Sequence, residues 1–254
     1  MISVELKGRL GNHLFQYVTC RVTAEKNDVG FSIPNGKPFG GKSVSGGWLG
    51  KEFFNCSMGQ PYVKQKTEFK EGVNGYNKNI ENIKDNTHLN GYWQSEKYFI
   101  EWEDKIKDWF YMEKPDSPYI SDEYCVIHYR AQDGYLSENY TPNDSFFNDA
   151  KNEVLKINPN VKFVIVTDNV PLAKKKFQND IVISNDIKKD FSIILYAKYK
   201  VISNSSFSWW AGWLGSDHSE IIIAPKRWMN YNFNKTKDDI FYPYDIESKK
   251  FKYI

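Results

Sequence analysis

Little in this chain suits metal or redox chemistry. Of its 254 residues only three are cysteine and four histidine. Cys20, Cys56 and Cys125 stand far apart, without metal-ligand spacing. An odd, sparse set of this kind reads as three reduced thiols rather than a disulfide framework. No Asp-x-Asp pair is present to hold Mg²⁺ or Mn²⁺, so neither a metal nor a bound cofactor is expected. No apolar run is long enough to span a bilayer. Met1-Ile-Ser-Val-Glu-Leu enters a strand directly, with no basic segment and apolar core of a signal peptide before it. The expectation is a cytoplasmic chain without stable membrane insertion. Charge of one sign is lacking too: 34 Lys and Arg face 32 Asp and Glu, for a net +2. The signs interleave, as in Glu101-Trp-Glu-Asp-Lys-Ile-Lys-Asp, so no basic footprint for nucleic acid exists.

What the chain has in excess is aromatic, 17% of residues with eight Trp. Aromatic faces bury well and also stack on sugars and bases, so the excess points both ways. The length allows one large domain or two small ones with a substantial core. In the second half, apolar runs alternate with amphipathic ones: Tyr124–Tyr129, Lys162–Thr167, Ile181–Ile183, Val201-Ile202 and Glu220–Ala224 read as strands. Between them lie helical patterns carrying Phe146, Phe147, Ala150, Val154 and Leu155, then Pro171–Phe177, then Phe191, Ile194, Leu195 and Tyr199. Continuous apolar strands imply a parallel sheet covered on both faces, a doubly wound Rossmann-like domain. In the first half Ile2, Val4 and Leu6 alternate as a strand, Gly8 to Asn12 turn, and a helix carries Leu14, Phe15, Val18 and Val22. Residues 35–50 read as a mobile loop and His88–Trp93 as a strand. Glu96–Phe110 reads as one amphipathic helix with Phe99, Trp102, Ile106, Trp109 and Phe110 inward. Pro115 and Pro118 mark a linker, so we expect two α/β lobes with a cleft between them: 1–113, and 120–254.

Three clusters carry candidate chemistry. Gly8-Arg-Leu-Gly-Asn-His-Leu-Phe-Gln-Tyr is a tight strand–helix turn whose glycines let a ligand approach the backbone, with Asn12 at the helix start. Many strand–helix turns contain Gly and Asn, however. His128-Tyr-Arg-Ala-Gln-Asp ends a strand, where the Arg130 fork matches two phosphate oxygens. A structural ion pair, with Asp133 holding Arg130, is the alternative. Val201-Ile-Ser-Asn-Ser-Ser-Phe-Ser-Trp-Trp-Ala-Gly-Trp-Leu runs a strand into small hydroxyls and then an aromatic helix. Ser205, Ser206 and the following amides suit an anion at a helix N-terminus; a Ser-Asn turn capping a buried helix is the plain alternative. Asp190, at a strand–helix junction, can accept two N–H bonds from the Watson–Crick edge of guanine or serve as a helix N-cap.

Together these segments resemble the alpha-1,2-fucosyltransferases of glycosyltransferase family eleven. Gly8–Tyr17 is similar to their N-terminal signature and Leu89-Asn-Gly-Tyr-Trp-Gln-Ser-Glu-Lys-Tyr-Phe to their mid-chain segment. His128–Asp133 is similar to their His-x-Arg-Arg-x-Asp, Ser203–Leu214 to their serine–tryptophan segment, and Ile222–Trp228 to the strand beyond it. Five motifs in family order span most of the chain. The resemblance implies a GT-B-like pair of Rossmann-like lobes, GDP-fucose as donor bound by the C-terminal lobe, an acceptor oligosaccharide, and inversion at the sugar carbon. It makes Arg130 the main diphosphate contact, with Ser205 and Ser206 at the β-phosphate and Asp190 at guanine. His128, Asp133 and Phe207 lie nearby at the donor, and Asn12, a catalytic candidate with Arg130, and Arg9 face the cleft from the other lobe. Arg9 and His13 depart from the family's Gly and Gln, Gln132 from a small residue, and Ala131 from its second Arg, which implies weaker leaving-group stabilisation. Glu138, just beyond the phosphate motif, is the candidate general base. Other readings are a different linkage or acceptor, or a catalytically silent GDP-sugar-binding protein.

Overall fold

Parallel strands need covered crossovers between them, and the alternation of apolar runs with helices supplies those crossovers. The computed structural model describes residues 1–33, 50–54, 56–72, 75–132, 141–226, 228 and 245–254. The loop expected at 35–50 therefore lies almost wholly outside the described residues. The chain divides into two compact units, Met1–Met112 with Lys237–Glu247, and Glu113–Thr236 with Ser248–Ile254. Each is built on a parallel sheet.

In the first unit the sheet holds β1 (Ile2–Val4), β2 (Phe31–Ser32), β3 (Thr67–Lys70) and β4 (Thr87–Asn90), in the order β2-β1-β4-β3. The alternation of Ile2, Val4 and Leu6 is not one-faced, since Ser3 and Glu5 are buried as well. Helix α1 (Leu10–Lys26) follows β1 and buries Leu14, Phe15, Val18 and Val22 as the spacing predicts. The short helix α2 (Gly50–Phe54) brings Phe54 within 4.8 Å of Phe110, ring to ring. The single helix expected over Glu96–Phe110 is broken. Two 3-10 turns, Glu96–Tyr98 and Ile100–Trp102, precede α3 (Glu103–Trp109). The break is at Phe99, whose φ of −149° and ψ of 1° leave the helical region while its ring is fully buried. Trp102 and Trp109 stay half-buried under cations: Lys105 Nζ lies 4.1 Å from one ring centre and Arg21 Cζ 3.7 Å from the other.

The second unit contains β5 (Tyr124–Tyr129), α4 (Asp144–Ile157), β6 (Lys162–Thr167), α5 (Val170–Lys176), β7 (Ile181–Ile183), α6 (Ile187–Tyr196), β8 (Tyr199–Val201), α7 (Ser206–Leu214), β9 (Ile221–Ala224) and β10 (Lys252–Tyr253). Its strand order is β10-β9-β8-β5-β6-β7, the doubly wound arrangement expected. Cys125, Val126 and Ile127 are completely buried, as a strand covered on both faces requires. All three cysteines are buried and none is in a disulfide. Trp209, Trp210 and Trp213 of α7 are core, not surface: each is at most 1% exposed, and their rings pack 5.2–6.2 Å apart. The unit does not run unbroken from 120 to 254. Asp245 is with the first unit, where its carboxylate accepts the Tyr76 N–H at 2.7 Å and pairs with Lys97. Gly75, at a φ of +90°, leaves room for that carboxylate.

One buried cation helps hold the second unit. Lys200, in the middle of β8, is wholly inaccessible, and its Nζ donates to Leu195 O at 2.5 Å and Gly215 O at 2.7 Å. These carbonyls close the C-terminal ends of α6 and α7, where a donor meets otherwise orphaned acceptors. Burial holds the ammonium well below its usual range, with Asp217 opposing. The unfolded chain therefore binds a proton that the folded chain resists, and stability contributed by Lys200 rises as pH climbs toward 10.5. Compared with Lys200→Met by denaturant unfolding at pH 7 and pH 10, the wild type should gain stability relative to the variant at the higher pH. An equal difference at both pH values contradicts this.

Candidate active site

At the centre of the second sheet the strand order reverses. β5 is flanked by β6 and β8, and the chain leaves β5 toward β6 and β8 toward β9, in opposite directions. Carboxyl ends at such a reversal open a crevice between diverging loops, the usual ligand position in open α/β sheets. The expected residues His128, Arg130 and Ser203–Phe207 all fall on these two strand ends.

A hydrogen bond ties the two ends together. Ser203 Oγ lies 3.0 Å from His128 Nδ1, both groups being buried. The His128 ring packs 5.6 Å from Phe207, which meets Phe191 edge-on at 5.1 Å. Burial, followed by the nearby Arg130 charge, pushes His128 down to about 3. The imidazole is therefore neutral at physiological pH and serves as a hydrogen-bonding wall rather than a charge.

Beyond Tyr129 the chain wraps around Asp168, at the end of the adjacent strand β6. Arg130 Nη1 pairs with Asp168 Oδ2, the Ala131 N–H donates to Asp168 Oδ1 at 2.8 Å, and Gln132 Nε2 donates to the Asp168 carbonyl. Thr141 Oγ1 donates to the Arg130 carbonyl at 2.8 Å. The alternative raised for Arg130, an ion pair, is thus present, but with Asp168. Asp133 and Glu138 lie outside the described residues. Asp168 was missed in the sequence, although it was legible in principle: in-register pairing of Tyr129 with Thr167 puts the next residues, Arg130 and Asp168, side by side. The pairing with a partly buried carboxylate holds the guanidinium in place at the end of β5.

Ala131 is not simply a lost cation. Its side chain is 5% exposed and belongs to the core cluster with Tyr129, Phe146 and Phe147. An arginine there has to leave the core or bury a charge.

The serine-rich bend behaves unlike the other helix starts of this unit. Asn143, Asn169 and Asp186 each cap their helices with a side-chain oxygen, accepting from Phe146, Leu172 and Lys189. Ser205, the residue before α7, makes no side-chain cap, and its own N–H turns back to Ser203 O at 2.7 Å. The plain capping alternative is therefore not how Ser205 is used. The first-turn amides and the dipole of α7 sit at the crevice end of β8, a setting that favours an anion.

Asp190 lies one turn into α6 and is not its cap; Asp186 is. Both Asp190 carboxylate oxygens accept from the Asn185 backbone N–H, at 3.1 and 3.2 Å, and Oδ1 also accepts from Asn185 Nδ2 at 2.8 Å. Burial raises its pKa, with Asn185 opposing. Its engagement with Asn185 is local, and a guanine contact would have to share that carboxylate.

In the first unit Asn12 lies in the first turn of α1 and Arg9 is the residue before that helix, which likewise has no side-chain cap. Asn12 Oδ1 accepts from Gln94 Nε2 at 2.7 Å. His13 is buried, and desolvation lowers it to about 4 despite a backbone contact to Gly8. Among the described residues no cluster of three or more His, Cys, Asp or Glu is placed to hold a metal ion. Among them, too, no helix is long and apolar enough to cross a membrane.

Residues 132–246 match the model of glycosyl transferase family 11. The matched segment is similar to that family and covers less than half of the chain. An alpha-1,2-colitosyltransferase of Escherichia coli is 29% identical over 190 residues, covering 65% of this chain and 62% of that protein. The O-antigen biosynthesis glycosyltransferase WbnK of Escherichia coli is 32% identical over 81 residues, covering 29% of this chain and 26% of that protein. The aligned chain thus spans under two thirds of either relative. POFUT1 in complex with GDP-fucose aligns over 85% of this chain and 93% of its own at 10% identity, with a TM-score of 0.47. A FUT1 variant of Arabidopsis thaliana in complex with GDP covers 88% and 69%, at 10% identity and a TM-score of 0.47. The family 11 match begins at Gln132, inside the loop that wraps Asp168, and includes the whole serine-rich bend.

Two outcomes test this geometry. Ala131→Arg should not improve the site: it should lower stability by about 1–3 kcal/mol through overpacking, or more if the charge stays buried, read as a fall in Tm. His128 binds its proton more weakly in the fold than the ordinary 6.5, so its contribution is complete above that value and is lost as pH falls toward about 3. Unfolding of His128→Gln at pH 7 and pH 4.5 should show a smaller acid loss than the wild type. An unchanged acid loss contradicts the buried neutral ring.

Proposed function

We propose that the protein is an inverting, metal-independent transferase that moves L-fucose from GDP-fucose to a hydroxyl of an acceptor glycan, O2 of a galactose. The observation that carries this reading is the meeting of two groups at adjoining strand ends: the Arg130 fork held by Asp168, and the α7 amide end left without a Ser205 cap. Both suit the pyrophosphate of a nucleotide donor. Breaking the glycosidic bond leaves GDP with growing negative charge while the sugar becomes oxocarbenium-like. In this reading Arg130, the Ser206 and Phe207 amides and the α7 dipole stabilise that charge, supplying what a divalent cation supplies elsewhere. Ser205 and Ser206 hydrogen-bond the β-phosphate, neutral His128 and Phe207 line its floor, and Asp190 is assigned to guanine. Asn12 and Arg9 are assigned ligand contacts. Glu138 keeps its assignment as the base that takes the acceptor proton, and Asp133 its place near the phosphates.

The likeness to the colitosyltransferase favours one second reading, the same 1,2 linkage with colitose in place of fucose. A silent GDP-sugar binder, prompted by Ala131 and by the contracted first half, is the other alternative; Ala131 itself packs in the core.

A charge-assisted hydrogen bond contributes about 1.5–3 kcal/mol, so Arg130→Ala should cost at least about tenfold in donor binding or turnover. The measurement is GDP release and product formation from GDP-fucose and GDP-colitose over a panel of galactosides. Wild-type rates in Arg130→Ala contradict the assignment. Tight donor binding without product in the wild type points instead to the silent reading.

A further inference from the structure

The hydrogen bond between the two strand ends of the crevice has a direction, and that direction decides which proton the His128 ring presents. Ser203 Oγ lies 3.0 Å from His128 Nδ1, with the serine wholly inaccessible and the histidine 5% exposed. A neutral imidazole carries one N–H, on Nδ1 or on Nε2, so the contact can run either way. The hydroxyl makes the choice. Among the described residues neither the Ser203 hydroxyl nor the His128 ring makes a second hydrogen bond. With the proton on Nδ1 and donated to Oγ, the serine hydrogen would be buried without an acceptor, the costly kind of unmade bond. With Oγ–H donating to Nδ1 that hydrogen is satisfied, and the ring proton falls on Nε2. Alternation along β5 places the ring as well. Cys125, Ile127 and Tyr129 point into the core with Phe147 and Ala150, and His128 points to the opposite face, against Phe207 in the first turn of α7. The ring thus lies beside the helix end to which the phosphates are assigned, and Nε2 is the polar atom it has left for a ligand.

We propose that Ser203 is a positioning residue for donor binding: by donating to Nδ1 it fixes the His128 tautomer with the proton on Nε2, so that the ring offers a neutral N–H to an oxygen of the nucleotide. This rests on the reading of the crevice as the GDP-sugar site. Burial and the Arg130 charge keep the ring uncharged, so the hydrogen bond comes without a second cation beside the guanidinium. Such a bond is made to the bound ground state, and its loss is read in affinity for GDP rather than in kcat.

Two measurements on the full chain test this. In ¹⁵N NMR of histidine-labelled protein, the His128 ring is identified among the four histidines by its loss in His128→Leu. It should show a protonated Nε2 and an unprotonated Nδ1 before ligand is added, and the Nε2–H signal should move when GDP binds. A proton on Nδ1 overturns the inference, as does an Nε2–H signal unmoved by bound GDP. Calorimetry then gives the GDP Kd of the wild type, Ser203→Ala, His128→Leu and the double variant, with Tm reporting that each is folded. Ser203→Ala should weaken GDP about threefold to tenfold, and should cost nothing further once His128 is leucine. Multiplying losses in the double variant, or wild-type affinity in Ser203→Ala, overturn the inference. The wild-type tautomer remains the deciding measurement if Ser203→Ala does not fold. A wild type that binds no GDP overturns the functional reading and the ligand role of Nε2 together, whereas a GDP-binding protein with its proton on Nδ1 overturns the role of Ser203 alone.

Discussion

The structure depends on one topological constraint, the reversal of strand order between β5 and β8. A parallel sheet wound in both directions has to part its loops where the winding changes, and only there do two carboxyl ends lie side by side with no helix laid across both. Arg130, Ser205 and Ser206, the groups proposed for the pyrophosphate, sit at that parting. The Ser203–His128 hydrogen bond joins the two strand ends, and the Asp168 wrap fixes the loop that carries Arg130. Moving either strand by one position in the order would separate the guanidinium from the α7 amides.

Electrostatics in this crevice are arranged by partial neutralisation. Arg130 is countered by Asp168, and its remaining charge helps keep His128 neutral. A neutral ring at these strand ends adds hydrogen-bonding capacity without titrating in the physiological range. Departures from the family pattern also fit a packing logic. Ala131 fills a core position against Phe146 and Phe147, and Gln132 reaches the Asp168 carbonyl, so the loop is shaped by its neighbour on β6 as well as by any ligand.

Much of the fold was legible in the sequence because continuous apolar runs and helical stripes are local signals. Tyr124–Tyr129, Lys162–Thr167 and Ile181–Ile183 form the strands read from them. What escaped was set by contacts distant in sequence. The 96–110 stripe breaks at Phe99 because burying that ring overrides helical periodicity. β10 is two residues long and exists only because β9 offers an edge. At the site, motif residues carry their own lettering, so His128, Arg130 and the serine bend were visible. The Arg130 partner Asp168 was not, since an acid after a strand has meaning only once register is known.

The most direct measurement is a crystal structure of the protein with GDP bound. The account predicts the pyrophosphate between the Arg130 guanidinium and the amide end of α7, with Asp168 still holding the arginine from behind. A pyrophosphate bound away from the β5 and β8 ends, with Arg130 and Ser205 untouched, would contradict it.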